Sequence, residues 1–151
     1  MQPEILILKD AGADPALPLP SYETAGAAGA DLRADLEGAE ITLAPMERRL
    51  IPTGLRMQIP PGFEVQVRAR SGAALRDGLS LVNGVGTIDA DYRGPVGVIV
   101  INLSDVPLVI RHGDRIAQIV VAPVVQAIFT PAQSVNETAR GSGGFGSPGR
   151  G

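Results

Sequence analysis

Residues 55–70 read Leu-Arg-Met-Gln-Ile-Pro-Pro-Gly-Phe-Glu-Val-Gln-Val-Arg-Ala-Arg, and their alternation decides the fold class. Leu55, Met57 and Ile59 are separated by Arg56 and Gln58, and beyond Pro60-Pro61-Gly62 the pattern resumes with Phe63, Val65, Val67 and Ala69. A period of two marks a half-buried strand, because successive side chains point to opposite faces. The two segments are expected to form a hairpin that turns at the prolines and glycine. On the second strand Glu64, Gln66, Arg68 and Arg70 share the outer face, which delivers Arg70 to the polar side at the strand's end.

The flanking sequence follows the same grammar. Upstream, residues 5–8 open as a strand, and Pro15, Pro18 and Pro20 hold the next segment extended. Downstream, residues 96–101 and 116–121 are apolar throughout, as expected of strands covered on both faces by a sandwich interior or by another subunit. Residues 71–76 carry the one hint of a helix, with Ser71 placed as its N-cap. Turn residues recur at short intervals and no solenoid-length repeat is visible. The expected organisation is an all-β domain over residues 1–135 followed by a glycine-rich segment over 136–151.

Composition narrows the chemistry. The chain has 151 residues, a formal net charge of −3, no cysteine, and His112 as its single histidine. Disulfides and cysteine or histidine zinc sites are excluded, so any metal must be hard and oxygen-bound. The acidic balance argues against a general nucleic-acid surface, while a local anion pocket remains open. Neither a membrane span nor a secretory leader is evident, and the cytoplasm is the expected location.

Five segments carry groups suited to phosphate and base chemistry. The densest is Asn83-Gly-Val-Gly-Thr-Ile-Asp-Ala-Asp-Tyr-Arg-Gly94, where Asn83-Gly84 signals a hairpin and Gly86 permits close backbone approach to a flat polar ring. If the residues after it are extended, Asp89, Asp91 and Arg93 project to one side and Tyr92 to the other. One carboxylate is then tied to Arg93 and the other is free to work; the alternative is a plain surface turn with a weak ion pair. Arg70-Ser71-Gly72 combines a guanidinium, a hydroxyl and free N–H groups, a phosphate-binding arrangement or else an ordinary helix start. Ala28-Gly-Ala-Asp-Leu32 sets a carboxylate after a small-residue turn, where it either helps place a hydrated cation or only makes the turn. His112-Gly-Asp-Arg115 reads as a turn with His112 in solvent. The last segment, Arg140-Gly-Ser-Gly-Gly-Phe-Gly-Ser147, is glycine-rich and costly to order, so it reads either as an idle terminus or as a nucleotide lid with Arg140 on phosphate and Phe145 on a ring. No nucleophilic triad is present. An aspartate beside phosphate-binding groups suits water attack on a phosphoanhydride, with Mg²⁺ and arginines neutralising charge.

In this order, Ala28–Leu32, Arg70-Ser-Gly72, Asn83–Gly94, Gly113-Asp-Arg-Ile-Ala-Gln118 and Arg140–Gly146 resemble the five motifs of the trimeric deoxyuridine triphosphatases, or dUTP pyrophosphatases. The resemblance implies a jelly-roll β-barrel or sandwich, a homotrimer with active sites between subunits, and hydrolysis of dUTP to dUMP and pyrophosphate. Such a reaction limits uracil incorporation into DNA and supplies dUMP for thymidylate synthesis. It implies that Asp89 activates the water attacking the α-phosphorus. Tyr92 would pack on the deoxyribose and exclude a 2′-hydroxyl. Asn83, Gly86, Thr87 and Ile88 would read uracil, and Gly97 would line the substrate through its backbone. Arg70, Ser71, Gly72 and Gln118 would line the phosphates, and Asp31 would meet hydrated Mg²⁺ through water. In the mobile C-terminal arm, Arg140 would grip the γ-phosphate and Phe145 would stack on uracil, with Gly146 and Ser147 beside them. Two departures stand out: Pro148 replaces a common hydroxyl, and Ala73-Ala74 replaces a bulkier pair. The rival readings are a deoxycytidine triphosphate deaminase of similar architecture and a non-catalytic nucleotide-binding trimer.

Overall fold

A computed structural model describes residues 2–149, so Met1 and the last two residues of the glycine-rich segment lie outside the described residues. Ten strands and one short helix are present: β1 Leu6–Lys9, β2 Ala30–Arg33, β3 Glu40–Leu43, β4 Arg48–Gln58, β5 Phe63–Arg68, α1 Ser71–Asp77, β6 Leu79–Leu81, β7 Gly86–Ile88, β8 Val96–Asn102, β9 Leu108–Arg111 and β10 Arg115–Pro123. They make two four-stranded antiparallel sheets, ordered β1-β4-β8-β6 and β2-β10-β5-β7, and a β3-β9 pair. Leu32, Val65 and Ile119 from one sheet and Ile51, Val98 and Val100 from the other are buried in a common core. The fold is all-β and jelly-roll-like. Among the described residues no helix is long and apolar enough to cross a membrane.

The alternation in 55–70 assigns faces correctly. Leu55, Met57, Val65 and Val67 are buried, while Glu64, Gln66 and Arg68 line the outer face and are linked by side-chain hydrogen bonds. The expected hairpin does not form. Strand β4 is flanked by β1 and β8, and β5 by β10 and β7, so Pro60-Pro61-Gly62 carries the chain from one sheet to the other. The Asn83-Gly84 turn makes the same crossing, because β6 pairs with β8 and β7 with β5. Period-two patterning states which face a residue occupies and is silent about which strand lies alongside.

Three further expectations are corrected. Strand β8 is not buried on both faces within the chain: Val96, Val98, Val100 and Asn102 point inward, while Ile99 is exposed. Arg70, not Ser71, is the N-cap of α1; its backbone is extended (φ −90°, ψ 130°), its carbonyl accepts the Ala74 N–H at 2.9 Å, and no side chain caps the helix. Arg70 still has the geometry of the strand it ends, so the helix begins one residue later than the hydroxyl suggested.

His112 is mostly buried, where solvent exposure was expected. Its Nδ1 accepts the Leu36 N–H at 3.1 Å, which leaves the proton on Nε2 to be donated to Asp14 at 2.8 Å. The ring thereby ties the turn before β10 to the segment after β1. His112→Ala strands both partners and is expected to cost about 1–2 kcal/mol in denaturant melts. The Asp14 carboxyl is held below its ordinary range, first by the Ala16 N–H and then by His112. A depressed folded pKa means the carboxylate stabilises the fold above the ordinary value of about 3.9 and loses that contribution as pH falls below it. Asp14→Asn is therefore expected to flatten the acid limb of a Tm-against-pH curve; an unchanged limb would show that Asp14 contributes nothing there.

Candidate active site

Pairing of β7 with β5, Val67 opposite Gly86 and Val65 opposite Ile88, buries Ile88 and sets Asp89 just past the strand's end. Residues 89–94 are then folded as a turn, with the Tyr92 N–H bonded to the Asp89 carbonyl at 3.2 Å. They are not extended, and the expected pairing of Arg93 with an aspartate is absent. Arg93 instead donates to the carbonyls of Ala90 and Tyr92, at 2.7 and 3.0 Å. The exposed Asp89 carboxylate has no ion-pair partner among the described residues. Tyr92 is held by its hydroxyl, which donates to the Pro95 carbonyl at 2.9 Å. Its ring lies so close to Gly94 that a Cβ there would meet the hydroxyl oxygen at 2.3 Å.

Thr87, Ile88, Asp89, Tyr92 and Gly97 line one cavity of about 650 Å³, whose far wall is residues 10–13 with Asp35 and Glu37. Gly97 faces Leu50, and an added Cβ would lie 2.6 Å from a Leu50 methyl. Gly86 is buried just behind: a Cβ would lie 3.2 Å from Val67 Cβ and 3.3 Å from the Asn83 amide nitrogen. Close approach at this glycine is therefore real, and the neighbour it admits is the Asn83 side chain.

A second cavity, of about 250 Å³, collects Asp31, Arg70, Ser71, Gly72 and Gln118 with Gly29, Glu23 and Arg115. Asp31 and Gln118 are register partners across β2 and β10. Gln118 donates to the Ala69 carbonyl at 3.0 Å, and its amide oxygen occupies the space where a Gly29 side chain would stand, 2.3 Å from the position of a Cβ. Arg70 Nε donates to Asp31 Oδ1 at 2.9 Å, and Arg115 Nη1 donates to Asp31 Oδ2 at 3.1 Å. Arg115 was missed as a site residue by the sequence reading, which saw it only as part of a turn.

The tail joins neither cavity. Phe145 is fully exposed, Arg140 Nε donates to the Gly143 carbonyl at 2.7 Å, and Gly146 and Ser147 sit in turns closed by local backbone bonds. Residues 124–149 contain no strand or helix, and Val125, Ile128, Phe129 and Val135 within them are almost wholly exposed. The single chain thus presents three groups of site residues: the Asp89 cavity, the Arg70 cavity and the free tail. The two cavities have no lining residue in common.

No dedicated metal cage is apparent, since among the described residues no three His, Asp or Glu side chains cluster. The donor set suits Mg²⁺ carried on a polyphosphate. That ion keeps several waters, and each Asp31 oxygen, though bonded to a guanidinium, retains a second lone pair for a water.

Comparison with known proteins agrees with this layout. A deoxyuridine 5'-triphosphate nucleotidohydrolase of Roseobacter denitrificans is 64% identical over 138 residues, 91% of each chain. Another from Dinoroseobacter shibae is 57% identical over 153 residues, 97% of each. Among solved structures, the dUTPase of Staphylococcus bacteriophage 80alpha with dUpNHpp superposes with a TM-score of 0.84 at 23% identity, covering 97% of this chain and 99% of that one. A mutant dUTPase from phage phi11 of S. aureus, described as revealing the coordination of a structural Mg(II) ion, gives 0.74 at 20% identity, covering 89% and 99%. The family described as dUTPase matches residues 16–149, a span that takes in both cavities' defining motifs and the tail, and the chain belongs to that family.

Proposed function

We propose that this enzyme, a hydrolase, converts dUTP and water to dUMP and pyrophosphate at a site assembled from three chains. The observation that carries the reading is the unpaired Asp89 carboxylate at a cavity walled by Tyr92 and Gly97. In this mechanism Asp89 accepts a proton from water as the water oxygen bonds to the α-phosphorus. The bond from that phosphorus to the bridging oxygen breaks, and pyrophosphate leaves. Arg70, Ser71, Gly72 and Gln118 hold the phosphates. Mg²⁺, when bound, offsets triphosphate charge, with Asp31 meeting it through water. Asn83, Gly86, Thr87 and Ile88 read the uracil edge, and the tail closes with Arg140 on the γ-phosphate and Phe145 on the base, Gly146 and Ser147 giving backbone and hydroxyl contacts.

Assembly as a homotrimer follows from what one chain leaves undone. Asp89 and Arg70 line separate cavities, and the outer side chains Leu50 and Ile99, register partners across β4 and β8, lie exposed together with the apolar residues of 125–135. A threefold assembly covers those surfaces and lets one chain's Asp89 face another's Arg70. The nucleotide pool it acts on places the enzyme in the cytoplasm.

Incubation with each deoxynucleoside triphosphate and Mg²⁺ tests the activity. Pyrophosphate is expected from dUTP alone; ammonia from dCTP would favour the deaminase, and binding without either product a regulatory trimer. Tyr92→Ala is expected to relax discrimination against UTP by about tenfold or more, read as the ratio of kcat/KM values. Unaltered sugar discrimination would remove Tyr92 from the deoxyribose.

A further inference from the structure

The pairing of β10 with β2 contains a bulge. Ala117 lies opposite Leu32, and Arg115 lies opposite Arg33, so two steps along β10 correspond to one along β2. Ile116 and Ala117 are accordingly both buried in succession, breaking the alternation. The extra residue changes where Arg115 points. Gln118 occupies the outer face opposite Asp31; regular alternation from there would turn residue 115 inward, whereas the bulge returns it to the outer face beside Asp31.

The result is a three-membered relay in which each Asp31 oxygen serves a different guanidinium: Oδ1 accepts from Arg70 Nε and Oδ2 from Arg115 Nη1. The Arg115 carbonyl also accepts Arg70 Nη1 at 3.3 Å. Arg70 therefore spends two of its five N–H donors on the scaffold and keeps the remainder free at the cavity that holds Ser71 and Gly72. A carboxylate with both oxygens free prefers a two-point grip on a guanidinium. With Oδ2 already taken, Asp31 holds Arg70 side-on through Nε and cannot draw in a second donor.

We propose that Arg115 is a positioning residue for the triphosphate, acting on Arg70 through Asp31. The proposal rests on the reading of Arg70 as a phosphate-binding group. Without the Arg115 side chain, Asp31 takes a second N–H from Arg70 and pulls its fork off the phosphates. Water-mediated contact between Asp31 and Mg²⁺ is compatible with this role.

The test is a double-mutant cycle on the full-length protein, reading the affinity for a non-hydrolysable dUTP analogue and for dUMP by calorimetry. Arg115→Met is expected to weaken the analogue about tenfold and dUMP far less, with no further loss when added to Arg70→Met. Arg115→Gln, which keeps a donor for Oδ2, is expected to restore part of the affinity, and covers the case in which the methionine variant does not fold. Additive losses in the double variant, or equal loss for dUMP and analogue, would mean that Arg115 only supports the fold and would overturn the relay. If Arg115→Met and Arg115→Gln bind the analogue as the parent does, the relay is likewise overturned while Arg70 keeps its assignment. An Arg70→Met protein with unchanged affinity would instead sink the phosphate-binding reading, and the relay with it.

Discussion

Asp89→Asn is expected to lower kcat by about two to four orders of magnitude while leaving the affinity for a non-hydrolysable dUTP analogue nearly unchanged. Asparagine keeps the shape of the side chain and loses the capacity to take a proton. The structure makes this substitution clean, because the Asp89 carboxylate supports no ion pair among the described residues and sits past the end of β7. No stability loss should therefore accompany the loss of turnover. Stopped-flow proton release with saturating dUTP, alongside calorimetry of the analogue, separates the two quantities. Turnover within a few-fold of the parent would show that Asp89 is not the base.

Ending the chain after Val135 is expected to leave the fold and the assembly intact and to cut kcat/KM by about two to four orders of magnitude. The lost groups are one charged hydrogen-bonding partner and one stacking ring, each worth a few kcal/mol when engaged. Residues 136–149 contribute no strand, and Phe145 touches nothing, so the core has no stake in them. The apolar residues of 125–135 remain in the shortened protein and preserve the surfaces assigned to neighbouring subunits. Sedimentation analysis reports assembly, and pyrophosphate release reports catalysis. The signature differs from that of Asp89→Asn, because loss of the tail also weakens the nucleotide analogue. A truncated protein with parental kcat/KM would end the lid assignment.

The all-β class and the faces of β5 were legible in the sequence because alternation is a local property, carried by Phe63, Val65 and Val67 against Glu64, Gln66 and Arg68. Strand partners were not, since they depend on residues far along the chain. The two misassigned hairpins come from that gap. His112 was misplaced for the same reason: its partners Leu36 and Asp14 stand 76 and 98 residues away. In the candidate site, the motifs around Asp89 and Arg70 announce themselves through residue type, and the structure gathers each into a cavity. The relay through Arg115 depends on a bulge that has no residue signature, so nothing in Gly113-Asp-Arg-Ile-Ala-Gln118 disclosed it. The division of one site between chains follows from the resemblance and has no counterpart in a single chain's pattern.

Among the described residues no strand pairs with its neighbour in sequence: β1 joins β4, β2 joins β10, β3 joins β9, β5 joins β7 and β10, and β8 joins β4 and β6. During synthesis on the ribosome, β2 must therefore wait for residues 115–119 before it has a mate. Proteins dominated by distant pairings collect slowly, over milliseconds to seconds, and show unpaired edges while they do. Newly made chains of this enzyme are thus most vulnerable to mutual sticking just before the tenth strand emerges, and chaperone demand should peak there.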